Sequence, residues 1–160
     1  MIRNDVYIRN FKRLIELGII NDKGELQFNE AVSLKSKPFM DLNLDDLGKD
    51  IKGYTMFAMA HNFKQHGDIM ADPDMQIRII PEMQSIEALT YQLSSMGIYQ
   101  RVYNEDYTKV IPRLKKELNS FLEKWLINLK QQRFKLVREA QLTTGDKPPT
   151  HEYSMITGRL

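Results

Sequence analysis

Apolar residues recur with two different periods in this chain of 160 residues. Through the middle of the chain they mostly alternate with polar residues, which is typical of strands that bury one face. Near both ends they recur every three or four residues, which is typical of helices that bury one stripe. One ordinary domain with both periods is predicted to have an α+β fold.

Two helices are predicted, one at each end. The first covers residues 5–17, because Asn4 or Asp5 can cap its start and Gly18 supplies a left-handed stop. The second is long and amphipathic and covers about 109–139. Its apolar stripe, which we expect to lie on one face of a sheet, consists of Val110, Leu114, Leu118, Phe121, Leu122, Trp125 and Leu129.

The middle of the chain predicts an antiparallel meander of about five strands, since its connections are too short for parallel crossovers. The predicted strands are 39–47, 54–65, 75–80, 86–93 and 98–103. Methionine and alanine leave a helix as an alternative for the second of them. Pro73 lacks an N–H group, so we expect residues 72–74 to lie outside a central strand.

The two helices are expected to pack on this sheet to form one domain over residues 1–140. Residues 141–160 contain Gly145, Pro148 and Pro149 and show no periodicity. They are predicted to be a tail that is mobile or is ordered only by a partner.

Several classes of protein are excluded by composition. The chain has no cysteine, which excludes disulfides, thiolate nucleophiles and cysteine-bound zinc or iron–sulfur clusters. No apolar run is long enough for a membrane span and no signal segment is visible, so a cytoplasmic location is expected. No phosphate-binding glycine loop or nucleophile elbow is present, and no cofactor is predicted.

The formal net charge of +2 hides a strong polarity along the chain. Residues 41–108 contain five basic and eleven acidic side chains, whereas residues 109–160 contain eleven basic and five acidic ones. Such a separation of charge favours binding to another macromolecule, although the two regions could also attract each other within the fold.

Four blocks of the sequence resemble an uncharacterised family of small bacterial proteins encoded on phages, plasmids and integrative conjugative elements. The blocks are LKSKPFMDLNLDDL at 34–47, MAHNFKQHGDIMADPDMQI at 59–77, LTYQLSSMGIYQRVY at 89–103 and FLEKWLINLKQQRF at 121–134. His66 departs from the family pattern, which usually has asparagine there. The resemblance implies a mobile-element context and supplies no activity.

Histidine and aspartate cluster around the predicted turns in the middle of the chain. Imidazole and carboxylate groups are the ligands that a divalent metal would use here, and the candidates are His61, Asp68, Asp72 and Asp74. The favoured alternative is that the aspartates are turn residues and that His61 is a strand histidine with satisfied hydrogen bonds. The acidic residues Asp41, Asp45, Asp46 and Asp50 are interpreted mainly as the solvent-exposed face of the first predicted strand and of the segment that follows it.

Two further groups are candidate binding residues. Tyr91, Tyr99 and Tyr103 lie on adjacent predicted strands, where they could contact a partner or simply pack across strands. The basic helix offers Lys116, Lys124, Lys130, Arg133 and Arg138 for contacts to phosphate groups of a nucleic acid, or as a solvated face.

The leading hypothesis is therefore a non-catalytic accessory protein of a mobile element that binds another macromolecule, with a protein partner preferred. The alternatives are a metal-dependent enzyme that uses the His/Asp cluster and a nucleic-acid-binding protein that uses the basic helix.

Overall fold

The computed structural model describes residues 5–137, apart from the side chains of Lys64 and Gln65. The helices are α1 (Val6–Glu16) and α2 (Pro112–Gln131). The strands are β1 (Ala31–Leu34), β2 (Leu42–Lys49), β3 (Thr55–Gln65), β4 (Asp68–Ile80), β5 (Ser85–Ala88), β6 (Thr90–Leu93) and β7 (Ile98–Arg101). The predicted α+β fold, with an antiparallel sheet and a helix at each end, is confirmed.

The strands form one antiparallel sheet in the order β1-β2-β3-β4-β6-β7. The fifth strand, β5, pairs with the last residues of β4, while β6 pairs with β4 farther back, at Asp74. Thirteen residues make β4 long enough to take both partners. The sheet is therefore a meander whose longest strand is bordered by two successive short ones.

The core lies on one face of this sheet, beneath both helices. Alternate residues of the strands supply its apolar side chains, as the period of two predicts. Its sheet side is built mainly from Leu42, Leu44, Phe57, Met59, Met75, Ile77 and Ile79, and its helix side from Phe11, Leu14, Leu118, Leu122, Leu126 and Leu129. This face of the sheet is called the core face below.

The strand count differs from the prediction, because the described range contains seven strands and not about five. The predicted strand 86–93 is divided at Leu89, whose N–H donates to Gln76 and whose carbonyl accepts from Val102. The short strand β1 was not predicted, since four residues are too few to show an alternation. Residues 54–65 are a strand, and the helical alternative is wrong.

The expectation for residues 72–74 is wrong, because they lie within β4. The pairing between β3 and β4 shifts register between Ala60 and Asn62, and Pro73 lies in the matching irregular stretch of β4. No ladder hydrogen bond is required from its nitrogen there, which is why an internal strand tolerates a proline.

The C-terminal helix is shorter than the predicted 109–139. Pro112 occupies its first turn, and Arg133 adopts a left-handed φ of 69° immediately after its end. The chain then turns back, and the N–H of Leu136 donates to the carbonyl of Leu17 at 2.8 Å. Val110 lies before the helix and is not part of its stripe. Within residues 5–137, neither helix is long and apolar enough to cross a membrane.

Candidate functional site

A groove of about 440 Å³ opens between the start of β2, the irregular part of β4 and the second half of α2. Most of its surface is aromatic or aliphatic, with polar groups along the helix. Its lining residues are Phe39, Met40, His61, Pro73, Phe121, Lys124, Trp125, Asn128 and Gln132. Concave apolar surfaces with a few polar groups are the usual form of a binding site.

A row of rings tilted against one another forms the floor of the groove. On α2, Phe121 and Trp125 are one helical turn apart, and their ring centroids are separated by 6.2 Å. The Trp125 ring lies 5.5 Å from that of His61, and His61 lies 6.0 Å from Phe134. His61 reaches this row because it pairs with the buried Leu42 and so points to the core face.

His61 is held by two hydrogen bonds. The indole N–H of Trp125 donates to Nε2 of His61 at 3.1 Å, so Nε2 is unprotonated and Nδ1 carries the proton. Nδ1 lies 3.1 Å from the carbonyl oxygen of Asp41, to which it donates. Burial lowers the pKa of His61, although its contacts with the carbonyls of Asp41 and Met40 act in the opposite direction. The interpretation of His61 as a strand histidine with satisfied hydrogen bonds is confirmed.

The lowered pKa of His61 predicts a pH-dependent stability. The unfolded chain takes up a proton at about pH 6.5, whereas folded His61 binds a proton less readily because its pKa is lowered, so the free energy of unfolding decreases as the pH falls through that value. Above it the contribution of His61 is fully present. Urea unfolding at about pH 7.5 and about 5.5 measures the slope.

In this measurement His61→Asn is expected to reduce the slope, because asparagine still donates to the carbonyl of Asp41 but does not titrate. His66→Asn is the matched control, since it removes an exposed histidine in the turn between β3 and β4. An unchanged slope in His61→Asn would show that His61 does not couple folding to protons.

Two apolar side chains form the outer rim of the groove. Phe39 is 43% exposed and Met40 is 46% exposed. The loop that carries them is fixed to the end of α2 by a hydrogen bond from the Ser36 hydroxyl to the carbonyl of Gln132. Met40 lies outside β2, although the predicted strand 39–47 included it, and that part of the prediction is wrong. The sequence contained one signal for this exposed rim: in the alternation of the predicted strand 39–47, the apolar residue Phe39 occupies a position where a polar residue is expected.

A family profile matches residues 9–135, and its description is a domain of unknown function, DUF6908. The chain belongs to this family. No curated protein and no solved structure matches the chain. The predicted membership of an uncharacterised family is thus confirmed. The match includes α1 from Arg9 onward, all seven strands, α2 and every residue that lines the groove of this DUF6908 domain.

The His/Asp candidates are spread over this DUF6908 domain. Asp68 is exposed at the start of β4, and Asp72 accepts hydrogen bonds from the N–H and the hydroxyl of Ser95. Asp74 pairs with Ala60, and it precedes the buried Met75, so it lies on the sheet face opposite His61. Burial and the charge of Asp45 raise the pKa of Asp74. Over the described residues, no three His, Asp or Glu side chains are close enough to hold a metal.

The three candidate tyrosines do not form one surface. Tyr91 packs edge-on against Phe121, with ring centroids 5.3 Å apart, whereas Tyr99 pairs with Gln92 and so lies on the opposite face of the sheet. The Tyr103 hydroxyl donates to Glu87 at 3.0 Å. Of the three, Tyr91 is nearest to the groove, through its contact with Phe121.

The acidic residues in and beside β2 have different environments. Asp41 pairs with Lys35 at 2.6 Å, and Asp45 and Asp46 are exposed, as a wet strand face predicts. Asp50 is different, because its side chain is only 2% exposed and accepts from Nε of Arg78 at 2.7 Å. Burial alone would raise the pKa of Asp50, but the backbone hydrogen bond from Tyr54 and the bond from Arg78 lower it.

The basic candidates on α2 also differ from one another. Lys116, Lys124 and Lys130 are exposed, and Lys130 lies 3.3 Å from Glu16 of α1. Arg133 follows the end of the helix. Arg138 lies outside the described residues. Among the four described members of the group, Lys124 is the one that lines the groove.

Proposed function

We propose that this domain is a non-catalytic binding module that takes a protein partner in the groove. The observation that carries the proposal is the exposed pair Phe39 and Met40, which continues the aromatic floor of the groove onto the outer surface. Burial of such a surface against a partner supplies binding energy, and aromatic residues in a pocket are the usual anchors.

A protein partner is favoured over a nucleic acid by the charge of the site. Binding to a phosphate backbone requires several basic side chains on one surface. Among the described lining residues the groove has one, Lys124. Lys130 is engaged with Glu16 on the side of the helix that faces α1. An apolar site with a single cation suits a polypeptide better than a polyanion.

The resemblance supports an accessory role in a mobile element. Three of the four blocks on which it rests, 34–47, 59–77 and 121–134, supply all the lining residues of the groove. The remaining block, 89–103, contains Tyr91, which packs behind Phe121. A protein from a phage, plasmid or conjugative element that acts on other proteins inside the host would work in the cytoplasm, and we place it there.

The proposal predicts that Met40→Asp abolishes partner capture, because a carboxylate on the rim must lose its water when an apolar surface covers it. The measurement is quantitative capture from host extract with the full-length protein, followed by identification of the proteins that differ between variants. Captured proteins should decrease about tenfold or more, equivalent to at least about 1.4 kcal/mol.

Met83→Asp is the matched control. Met83 is 47% exposed, against 46% for Met40, and it lies in the turn between β4 and β5, outside the groove. Capture should be the same as in the unaltered protein. Equal loss in both variants, or none in either, would contradict a partner site in this groove.

A further inference from the structure

The groove contains a positive charge that no described carboxylate neutralises. Lys124 is the charged member of its lining. The adjacent Glu123 is directed to α1, where it pairs with Arg9 at 2.8 Å and Arg13 at 3.1 Å. Asp41, which follows Met40 in the chain, is paired with Lys35.

Among the described residues, these pairings leave Lys124 as the charged side chain of the lining without a carboxylate partner, beside the aromatic rings. Lys124 lies on α2, and the residues around it on the same helix, Phe121, Trp125 and Asn128, line the same groove. An occupant that packs its apolar part against the rings also removes water from the ammonium group of Lys124. If the occupant carries no negative charge, no ion pair offsets this desolvation cost.

Resting on the proposed function, we propose that the groove recognises a segment of a partner protein in which a bulky apolar side chain neighbours a carboxylate. The apolar side chain packs against Phe121 and Trp125, and the carboxylate pairs with Lys124. A polypeptide fits because the lining residues Phe39 and Met40 are also partly exposed at the outer rim, so an occupant that covers them continues out of the groove. Backbone groups of such a segment meet the polar side chains of Asn128 and Gln132.

Trp125 makes the proposal measurable, since it is the single tryptophan of the chain and lies in the groove. Short random peptides displayed on phage are selected on the full-length protein, and the selected peptides are synthesised and titrated while Trp125 emission is followed. Selected sequences should share an apolar residue next to Asp or Glu. Replacement of that acid by its amide should weaken binding about tenfold.

The charge reversal Lys124→Glu should weaken the same peptides about tenfold or more, and should restore binding to peptides in which the acid is replaced by lysine. Lys116→Glu is the matched control on the same helix, outside the groove, and should change affinity by less than about twofold. Circular dichroism of each variant shows whether the fold is retained.

Other outcomes have distinct meanings. Peptides that depend on Met40 but show no acidic preference and no response to Lys124→Glu overturn this inference and leave the proposed function in place. Both this inference and the proposed function are overturned if no peptide distinguishes the unaltered protein from Met40→Asp and if capture from extract is also unchanged in that variant. Concentration-dependent dimers that Met40→Asp abolishes, or salt-sensitive binding of single-stranded nucleic acid lost in Lys124→Glu, identify a different occupant and overturn the inference.

Discussion

Replacement of Arg78 by methionine is expected to lower the free energy of unfolding by about 3–5 kcal/mol at neutral pH, the range typical of a broken buried ion pair. The side chain of Arg78 is only 6% exposed, and its Nε donates to Asp50 at 2.7 Å. Its Nη1 lies 3.7 Å from Glu87. Methionine fills much of the same volume but leaves the buried carboxylate of Asp50 without its cation, whereas Glu87 keeps Lys115 at 3.6 Å.

Aromatic rings surround this guanidinium, which explains why the loss should be large. The ring of Tyr107 lies 4.3 Å from the guanidinium carbon, and those of Tyr54 and Tyr103 lie at 5.4 and 5.6 Å. The rings exclude water and add cation–π attraction. Arg78 thereby ties the loop after β2 and the loop after β7 to the centre of the sheet.

Urea unfolding of Arg78→Met and of a matched control, Arg113→Met, measures the effect. Arg113 also pairs with a glutamate, Glu117 at 3.3 Å, but its side chain is 88% exposed, so its loss should cost less than about 1 kcal/mol. A loss below about 1 kcal/mol in Arg78→Met would show that the cluster does not hold the two loops.

The loss in free energy of unfolding caused by Arg78→Met should also become smaller as the pH decreases. In the unaltered protein the pKa of Asp50 is lowered, so its contribution is present above the unfolded value of about 3.9 and is lost as the pH falls below it. Without Arg78 the buried carboxylate is expected to take up a proton at higher pH, which relieves the unpaired charge. Unfolding curves from neutral to mildly acidic pH test this convergence.

Gly18→Ala is the second substitution with a large expected effect, a loss of about 3 kcal/mol. Gly18 has a φ of +80°, and a Cβ atom there would lie 2.3 Å from the carbonyl oxygen of Leu136. That oxygen belongs to the backbone segment whose N–H bonds to Leu17, so it has little freedom to move away. The change should separate the C-terminal segment from the end of α1.

Gly53→Ala separates the cost of the left-handed backbone conformation from the cost of the contact with Leu136. Gly53 has a φ of +87°, but no heavy atom lies within 4 Å of the added carbon. Its loss should be only the cost of the left-handed conformation, about 1–2 kcal/mol. Thermal unfolding gives the stabilities, and hydrogen exchange of the Leu136 amide reports the local contact. Equal losses in the two variants would mean that the approach of Leu136 does not matter.

The groove shows how far the sequence could predict a site. Periodicity placed His61 on a strand and Trp125 in the stripe of a helix, and both placements are correct. The bond between their side chains joins residues 64 positions apart, a distance over which no local pattern operates. Phe39 and Met40 reach the rim only because the loop before β2 is tied to the end of α2.

The ends of elements were harder to predict than their types. Alternation reports which residues are buried, and it correctly distinguished strands from helices in the middle of the chain. The end of α2 depends on Arg133 and on the docking of Leu136, and the place of Pro73 depends on a shift of register between two strands. Such features arise from contacts between distant segments.

The sequence by itself determined the α+β class, the antiparallel pairing, the wet and buried faces of the strands and the absence of cysteine chemistry, because each depends on residue type or local period. Only the tertiary structure decided which polar groups meet. In the sequence Asp50 looks like the acidic residues in and before β2, yet it is buried against Arg78. Packing of distant segments sets both that cluster and the groove, since the burial of a side chain depends on what covers it.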